Sequence, residues 1–142
     1  MIQKAERIIE AYQKVKPAGC GVIAMDGRAA AGKTTLAEEL AVTLGGAVVH
    51  MDDFFLPGEL RTPERLAAPG GNVHAERFVE EVLPYLRRGE AFRYRRFDCH
   101  RMNYNGWVEI PPVPVIIVEG AYSQHPRFGG YADLTVFCDI AP

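Results

Sequence analysis

"VIAMDGRAAAGKTTLAEEL", residues 22–40, passes from an apolar, β-branched segment through a loop rich in glycine and alanine into a helix-forming segment. Inside it, one motif has the spacing G-x-x-x-x-G-K-[ST] and consists of Gly27, Gly32, Lys33 and Thr34. The glycines let backbone N–H groups approach phosphate oxygens closely, while the following helix presents its positive N-terminal end. The stretch therefore predicts a strand, a loop that binds the phosphates of a nucleotide, and a helix.

The residues of this loop are predicted to bind ATP and Mg²⁺ together. The predicted nucleotide-binding run consists of Gly27, Arg28, Ala29, Ala30, Ala31, Gly32, Lys33, Thr34 and Thr35. Lys33 would reach the β- and γ-phosphates, which makes it a catalytic as well as a binding residue, and the hydroxyl of Thr34 would bind Mg²⁺. ATP and Mg²⁺ are thus the predicted cofactors.

The composition is that of one globular domain without a basic excess. The 142 residues are 48% hydrophobic and 24% charged, and the formal net charge is -2. A chain of this length can bury about two-thirds of its surface around a single core. Because basic residues are not in excess, the composition argues against nucleic acid as a principal partner. The three cysteines are far apart in the sequence and indicate neither a disulfide framework nor a zinc site.

The N-terminal segment bears on where the protein resides. It carries Glu6 and Glu10 and has no continuous apolar core, which argues against a signal or transit peptide. No apolar run in the sequence approaches the length needed to span a bilayer. We expect a cytoplasmic protein with a small-molecule substrate and no membrane partner, and a homo-oligomer is compatible with the sequence.

Apolar segments of two different periods alternate along the chain. Helical spacing predicts helices over residues 2–15, 33–44 and 75–86. Apolar, β-branched runs predict strands over residues 20–25, 47–51, 113–120 and 133–140, and a hairpin is predicted between residues 91–97 and 107–110. Residues 56–73 are rich in glycine and proline and are predicted to be irregular. The alternation of strands with helices predicts an α/β fold.

Acidic residues follow two of the predicted strands. Asp52 and Asp53 come directly after residues 47–51, and Glu119 ends an apolar strand. Ligands of open α/β sheets bind at the carboxyl ends of strands, so an aspartate there can take the proton of an acceptor hydroxyl and Glu119 can hold Mg²⁺. The alternatives are that the aspartates only cap a turn and that Glu119 is a solvated strand end. His74 and His100 have no partner at metal-ligand spacing, so the pattern alone predicts ordinary polar positions.

Five motifs follow one another along residues 20–140: "GRAAAGKTT", "MDDFF", "NVHAERF", "RRFDCH" and "VIIVEG". In order and spacing they resemble the uridine kinase family of P-loop nucleoside kinases. The first motif alone indicates only a superfamily, whereas "MDDFF" followed by "RRFDCH" and "VIIVEG" is much more specific. We therefore predict a three-layer P-loop α/β fold with a parallel sheet in the order 2-3-1-4, helices on both faces and a small β-hairpin appendage.

The resemblance implies roles for residues at the matching positions. Asp52 would be the general base for the acceptor hydroxyl, with Asp53 as the second candidate. Phe55 would lie beside the nucleoside, Phe97 would stack on its base and His100 would form a hydrogen bond to the base. His74 would contact the substrate from a position where the family has an aspartate that binds ribose hydroxyls, although a neutral imidazole offers only one acceptor nitrogen.

The resemblance also predicts the function. We expect ATP-dependent phosphoryl transfer to a hydroxyl group of a nucleoside-like small molecule, as in a uridine or cytidine kinase. The alternatives are a kinase of the same fold for another small alcohol, and a nucleotide-binding module with little or no turnover. Because members of that family continue into an arginine-bearing lid and a last strand, residues 1–142 are expected to form a single P-loop kinase-like domain that is incomplete at its C-terminus.

Overall fold

Helices and strands alternate along the part of the chain that the structure describes. The computed structural model describes residues 2–15, 20–27 and 33–138. In chain order the elements are α1 (Ile2–Val15), β1 (Gly21–Gly27), α2 (Lys33–Leu44), β2 (Ala47–His50), α3 (Pro63–Ala67), α4 (Ala75–Glu81), β3 (Phe92–Asp98), β4 (Asn103–Ile110), β5 (Val115–Glu119) and β6 (Leu134–Cys138). None of the helices described is long and apolar enough to cross a membrane.

Four parallel strands form the main sheet, in the order β2-β5-β1-β6. These labels differ from the predicted order 2-3-1-4 because the two hairpin strands are numbered as well. Counted among the four strands of this sheet alone, the order reads 2-3-1-4. Strands β3 and β4 form a separate antiparallel hairpin. The predicted α/β class and the hairpin are thus confirmed.

Both faces of the main sheet are covered by other elements. All five residues of β5 are buried, as expected for a β-branched strand in the centre of a parallel sheet. On one face, Ile8 of α1 and Leu40 of α2 belong to a core that includes side chains of β1 and β5. On the other face, Phe78 of α4 and Tyr94 of the hairpin belong to a second core. The fold therefore has three layers with the sheet in the middle.

The third predicted helix is shorter than expected. The prediction extended it from residue 75 to residue 86, but α4 ends at Glu81 and a separate 3-10 turn follows at Leu83–Tyr85. Pro84 explains the interruption, because proline has no amide hydrogen to donate and its ring disfavours a helical conformation of the residue before it.

The predicted irregular segment, residues 56–73, contains two short regular pieces. A 3-10 turn spans Gly58–Leu60, and α3 follows it. The side chain of Thr62 caps α3 by accepting a hydrogen bond from the backbone N–H of Arg65 at 3.2 Å, and Pro63 occupies the first turn. This threonine-proline pair is a helix-start signal that the prediction overlooked.

Candidate active site at the carboxyl edge of the sheet

The predicted phosphate-binding motif begins where β1 ends. Gly27 has a φ of 138°, and a Cβ atom there would lie 1.9 Å from the carbonyl oxygen of Cys138, so a larger residue does not fit. Helix α2 begins at Lys33, and exposed Thr34 and Thr35 lie in its first turn. Some of the predicted phosphate-binding groups lie outside the described residues and stay predictions: Arg28, Ala29, Ala30, Ala31, Gly32 and the side chain of Lys33.

Thr34 and Glu119, the two predicted magnesium ligands, are in contact. The hydroxyl of Thr34 donates a hydrogen bond to Oε1 of Glu119 at 3.3 Å, and Glu119 is only 4% exposed. Mg²⁺ prefers oxygen ligands and is usually bound by one or two carboxylates together with substrate phosphates. A hydroxyl and a buried carboxylate at the edge of the sheet fit that requirement. Among the described residues, no group of three or more His, Cys, Asp or Glu side chains could hold a metal ion.

His50 is a third member of this cluster, and the sequence did not reveal it. It ends β2 opposite Glu119 in the register of the two strands, and its Nδ1 lies 2.6 Å from Oε1 of Glu119. The hydrogen bond to Glu119 is the main reason why the pKa of His50 is raised. The only local signal is a histidine at the last position of an apolar strand, because its partner is 69 positions away.

The two acids of the "MDDFF" motif have different environments. Both lie in a 3-10 turn, Met51–Phe54, which directly follows β2 and is called the acid turn below. Asp52 is exposed, whereas Asp53 is half-buried and accepts a hydrogen bond from the hydroxyl of Tyr94 at 2.8 Å. Burial raises the pKa of Asp53, although the bond from Tyr94 acts in the opposite direction. Asp52 therefore keeps its carboxylate open to a ligand, while Asp53 is attached to the hairpin.

Tyr94 connects the acid turn to the end of β2. Its side chain is fully buried, and its phenol receives a backbone hydrogen bond from His50 while it donates to Asp53. Burial, followed by the charge of Asp53, raises the pKa of Tyr94, so the phenol stays protonated at neutral pH. Thr34, Glu119, His50, Tyr94 and Asp53 thus form a continuous series of hydrogen-bonded groups, which we call the polar chain.

A buried arginine fixes the acid turn against the hairpin. Arg77 of α4 is 2% exposed and donates to the backbone oxygens of Asp53 at 2.5 Å and Arg95 at 2.6 Å. It also pairs with Glu81 at 3.2 Å, and its guanidinium lies 4.2 Å from the ring centroid of Phe54. A buried charge is tolerated only when it is paired and hydrogen-bonded, and these contacts meet that condition.

Phe55 and His74, predicted substrate residues, lie close to the acid turn. Phe55 forms an isolated antiparallel bridge with Val73, and the backbone N–H of His74 donates to the carbonyl oxygen of Phe54 at 2.7 Å. Burial lowers the pKa of His74, so this imidazole is neutral near pH 7. The structure therefore brings both residues beside Asp52 and Asp53.

Phe97 and His100, predicted to contact a nucleobase, are placed differently from each other. Phe97 is 3% exposed and meets the ring of Tyr104 edge to face at a centroid distance of 5.2 Å. His100 lies exposed in the turn of the hairpin, where its backbone N–H donates to Asp98 at 2.9 Å. Since stacking of a base on Phe97 requires Tyr104 to move, contact with a nucleobase stays a prediction.

Asp26 is another residue that the sequence reasoning missed. It precedes Gly27 in β1, and its carboxylate accepts hydrogen bonds from the backbone N–H groups of Tyr122 at 2.9 Å and Gln124 at 3.2 Å. These bonds attach the loop after β5 to the start of the phosphate-binding motif. An acid directly before the first motif glycine was the available signal.

A parallel sheet in this order, a phosphate-loop motif after β1 and acids after β2 and β5 define a P-loop kinase-like fold. The chain is similar to a protein from Bacillus stearothermophilus described as a possible uridine kinase, with 21% identity and a TM-score of 0.79 over 95% of this chain and 79% of that one. It is also similar to a protein from Silicibacter sp. TM1040 described as a fructose transport system kinase, with 25% identity and a TM-score of 0.73 over 94% of this chain and 73% of that one. No protein-family model matches the sequence. At these identities the similarity shows the fold.

Proposed function

We propose that the protein transfers a phosphoryl group from ATP to a hydroxyl group of a small molecule. One observation carries the proposal: two sets of oxygen groups with different chemistry meet at the same edge of the sheet. Thr34 and Glu119 lie at the ends of α2 and β5, and Asp52 and Asp53 follow the neighbouring strand β2. Phosphoryl transfer requires both a site that neutralises phosphate charge and a group that orients the nucleophile.

Thr34 and Glu119 would hold Mg²⁺ on the phosphate side. When bound, the ion neutralises charge on the phosphate oxygens. The contact of His50 with Oε1 of Glu119 fixes the orientation of this carboxylate before any ligand arrives. Such fixed outer contacts commonly tune the affinity of a protein for a metal.

Asp52 would hold the acceptor hydroxyl and take its proton. Its side chain is exposed, and it has no hydrogen bond or ion pair within the described part of the chain. Asp53, in contrast, has its backbone oxygen bound by Arg77 and its carboxylate bound by Tyr94, so it anchors the turn that carries Asp52. Holding the acceptor in line contributes to the rate in addition to proton transfer.

The acceptor that we favour is a small alcohol without a nucleobase. The burial of Phe97 against Tyr104 supports this choice over the predicted nucleoside, because it leaves no ring face of Phe97 open to a base. Phe55 and His74, which lie beside the acid turn, can contact either kind of acceptor.

The test combines nucleotide binding with acceptor-stimulated release of ADP. Calorimetry should detect ATP binding that depends on Mg²⁺, and Lys33→Ala should weaken it at least about tenfold, since a charge-assisted contact is lost. Lys14→Ala, in the last turn of α1, is the matched control and should leave affinity unchanged.

Nucleosides, sugars, hydroxy acids and sugar phosphates are then compared as acceptors in the same assay. Unchanged affinity in Lys33→Ala would disprove the phosphate-loop assignment. Binding of ATP without stimulation by any acceptor would instead identify a nucleotide-binding module.

A further inference from the structure

Two arginines near the acid turn differ from most arginines around them, because no carboxylate of the described residues neutralises their charge. Five arginines pair with carboxylates: Arg65, Arg77, Arg87, Arg95 and Arg127. Two others that lie beside the acid turn, Arg61 and Arg96, form no ion pair with a carboxylate of the described residues. They come from the two segments that flank this turn.

Arg61 belongs to the segment between the acid turn and α4. Its guanidinium lies 4.7 Å from the ring centroid of Phe55, which immediately follows the acid turn. It donates to Oδ1 of Asn72 at 2.9 Å and to the carbonyl oxygen of Leu56 at 3.4 Å, and both acceptors are uncharged. Arg61 is therefore held in place without being neutralised, and three of its five N–H donors remain for a ligand.

Arg96 approaches the acid turn from the hairpin. It lies at an irregularity of β3, between Arg95 and Phe97, where the register with β4 shifts. Two positions earlier, Tyr94 binds the carboxylate of Asp53 at 2.8 Å, so this part of β3 lies next to the acid turn. The side chain of Arg96 is exposed, and its charge acts to lower the pKa of Asp53. Arg96 is thus close to Asp53 without pairing to it.

An exposed arginine is ordinarily a solvated surface charge. Here, however, one guanidinium lies on the ring that follows the acid turn and a second acts on the charge of Asp53, and neither is paired with a carboxylate of the described residues. The carboxylates of Asp52 and Asp53 would repel an anionic acceptor, and guanidiniums near the acid turn would offset that repulsion. A guanidinium binds carboxylate and phosphate oxygens with two parallel hydrogen bonds, which gives orientation as well as attraction.

We propose that Arg61 and Arg96 bind an anionic group of the phosphoryl acceptor, so that the acceptor is a small alcohol that also carries a carboxylate or a phosphate. The inference rests on the proposed kinase function and adds the charge of its substrate. Binding of the anion by these side chains directs the free hydroxyl toward Asp52. Both arginines are specificity residues in this scheme, and neither takes part in proton transfer.

The experiment compares acceptors in matched neutral and charged sets. ADP release from ATP is measured with glycerol, glycerate and glycerol 3-phosphate, and with fructose and fructose 6-phosphate. In the unmodified protein, at least one charged member should exceed its neutral parent about tenfold or more in kcat/KM. Whether glycerate or a phosphate ester has the higher kcat/KM identifies the anionic group as a carboxylate or a phosphate.

Variants then assign the effect to the two arginines. Arg61→Gln and Arg96→Gln should each raise KM for the charged acceptor about tenfold with little change in kcat, which corresponds to one charge-assisted contact. Arg61→Lys and Arg96→Lys keep the positive charge, so KM for the charged acceptor should rise less than in the glutamine variants. This comparison separates loss of charge from a purely structural effect. Arg93→Gln is the control, because Arg93 is on the same strand but its guanidinium stacks on Trp107 at 4.2 Å.

Three results would overturn the inference: equal or better use of the neutral parents, no stimulation by any charged acceptor, or an effect of the glutamine variants on KM for ATP instead of the acceptor. If neutral alcohols are phosphorylated, the charge inference fails and the kinase function stands. If no compound stimulates ADP release, both fail.

Discussion

The proposed nucleotide and acceptor sides of the candidate site differ in the polar contacts that are added to their apolar cores. On the nucleotide side, β1 and β5 are almost entirely buried and pack against the apolar residues of α1 and α2. On the acceptor side, the acid turn, residues 55–74 and the hairpin are tied together by polar contacts of Arg77 and by the ion pair of Arg65 with Glu76. The acceptor side also has an apolar core, which includes Phe54, Phe78 and Tyr94, so directional polar contacts are added there to apolar packing.

Substitutions of apolar and of polar residues differ in how much stability they cost. Burial of one aliphatic side chain stabilises a fold by about 1.5 to 3 kcal/mol, whereas one net hydrogen bond contributes about 0.5 to 1.5 kcal/mol. A few polar residues on the acceptor side can therefore be exchanged without loss of the sheet. We infer that acceptor choice can change in this fold while the phosphate machinery is kept.

The largest expected effect tests the division of roles within the acid turn. Asp52→Asn removes the proposed base at constant size, so acceptor-dependent turnover should fall by about 10²- to 10⁴-fold while ATP affinity is nearly unchanged. The measurement is ADP release under saturating ATP, with calorimetry for ATP binding. Asp53→Asn is the comparison, and a larger loss in that variant would exchange the roles of the two neighbours.

The second prediction separates the two sides by stability and affinity. Arg77→Met leaves the buried carbonyl oxygens of Asp53 and Arg95 without a donor, and each unsatisfied group costs about 1 to 3 kcal/mol. Unfolding in urea should show a loss of about 2 to 6 kcal/mol for the two groups together, and KM for the acceptor should rise while ATP affinity is kept.

Leu40→Ala is the matched variant on the nucleotide side, since removal of this buried leucine costs about 2 to 5 kcal/mol. It should not affect the acceptor selectively. Equal losses of ATP affinity in the two variants would mean that the sides are not separate.

A smaller effect is expected at the contact between the sides. His50→Ala removes the hydrogen bond that orients Glu119. Loss of such an outer contact typically weakens metal binding about 10- to 100-fold. Titration of Mg²⁺ into the protein with a non-hydrolysable ATP analogue should therefore require more Mg²⁺ in the variant. Val48→Ala, on the same strand, is the control, and an unchanged Mg²⁺ requirement in His50→Ala would limit His50 to a structural contact.

The smallest effect concerns the ion pair that holds residues 55–74. The hydrogen bond from Arg65 lowers the pKa of Glu76 to about 2. A depressed carboxylate pKa stabilises the fold above the unfolded value of about 4.3, and this contribution is lost as the pH falls toward 2. Glu76 is 39% exposed, so solvent screening limits the contribution to at most about 1 kcal/mol.

Urea unfolding across this pH range should show Glu76→Gln less stable than the parent at pH 7 and equally stable near pH 2. Glu64→Gln is the control, because Glu64 has no ion pair within the described residues. A constant difference between Glu76→Gln and the parent at all pH values would exclude the ion pair as its cause.

Much of the fold could be predicted because its signals are local. The β-branched runs that became β1, β2, β5 and β6 and the helical spacing of α1 and α2 are readable in windows of a few residues. The predicted end of α4 was wrong because the helical spacing of apolar residues continues past Pro84, whereas the proline itself interrupts the helix. Helix α3 was missed because five residues are too few to show a helical repeat of apolar residues. Its start is marked only by the cap from Thr62.

The candidate site was predictable only in part, because much of it depends on contacts between distant segments. Thr34 and Glu119 could be expected to meet, since both follow from the geometry of a parallel sheet. The contacts of Arg77 with Asp53 and Arg95 leave no local pattern. The burial of Phe97 was not predictable either, because the irregularity in β3 turns it inward together with Tyr94, three positions earlier.

The polar chain connects the proposed acceptor site to the proposed nucleotide site. Tyr94 is hydrogen-bonded both to Asp53 and to the backbone of His50, whose ring binds Glu119. If the proposed acceptor displaces the hairpin on binding, these contacts carry the change to Glu119, the proposed Mg²⁺ ligand. Linkage then requires reciprocity: the factor by which the acceptor changes nucleotide affinity equals the factor by which the nucleotide changes acceptor affinity. The affinity of the protein for each ligand should therefore differ between the free protein and the protein that already holds the other ligand.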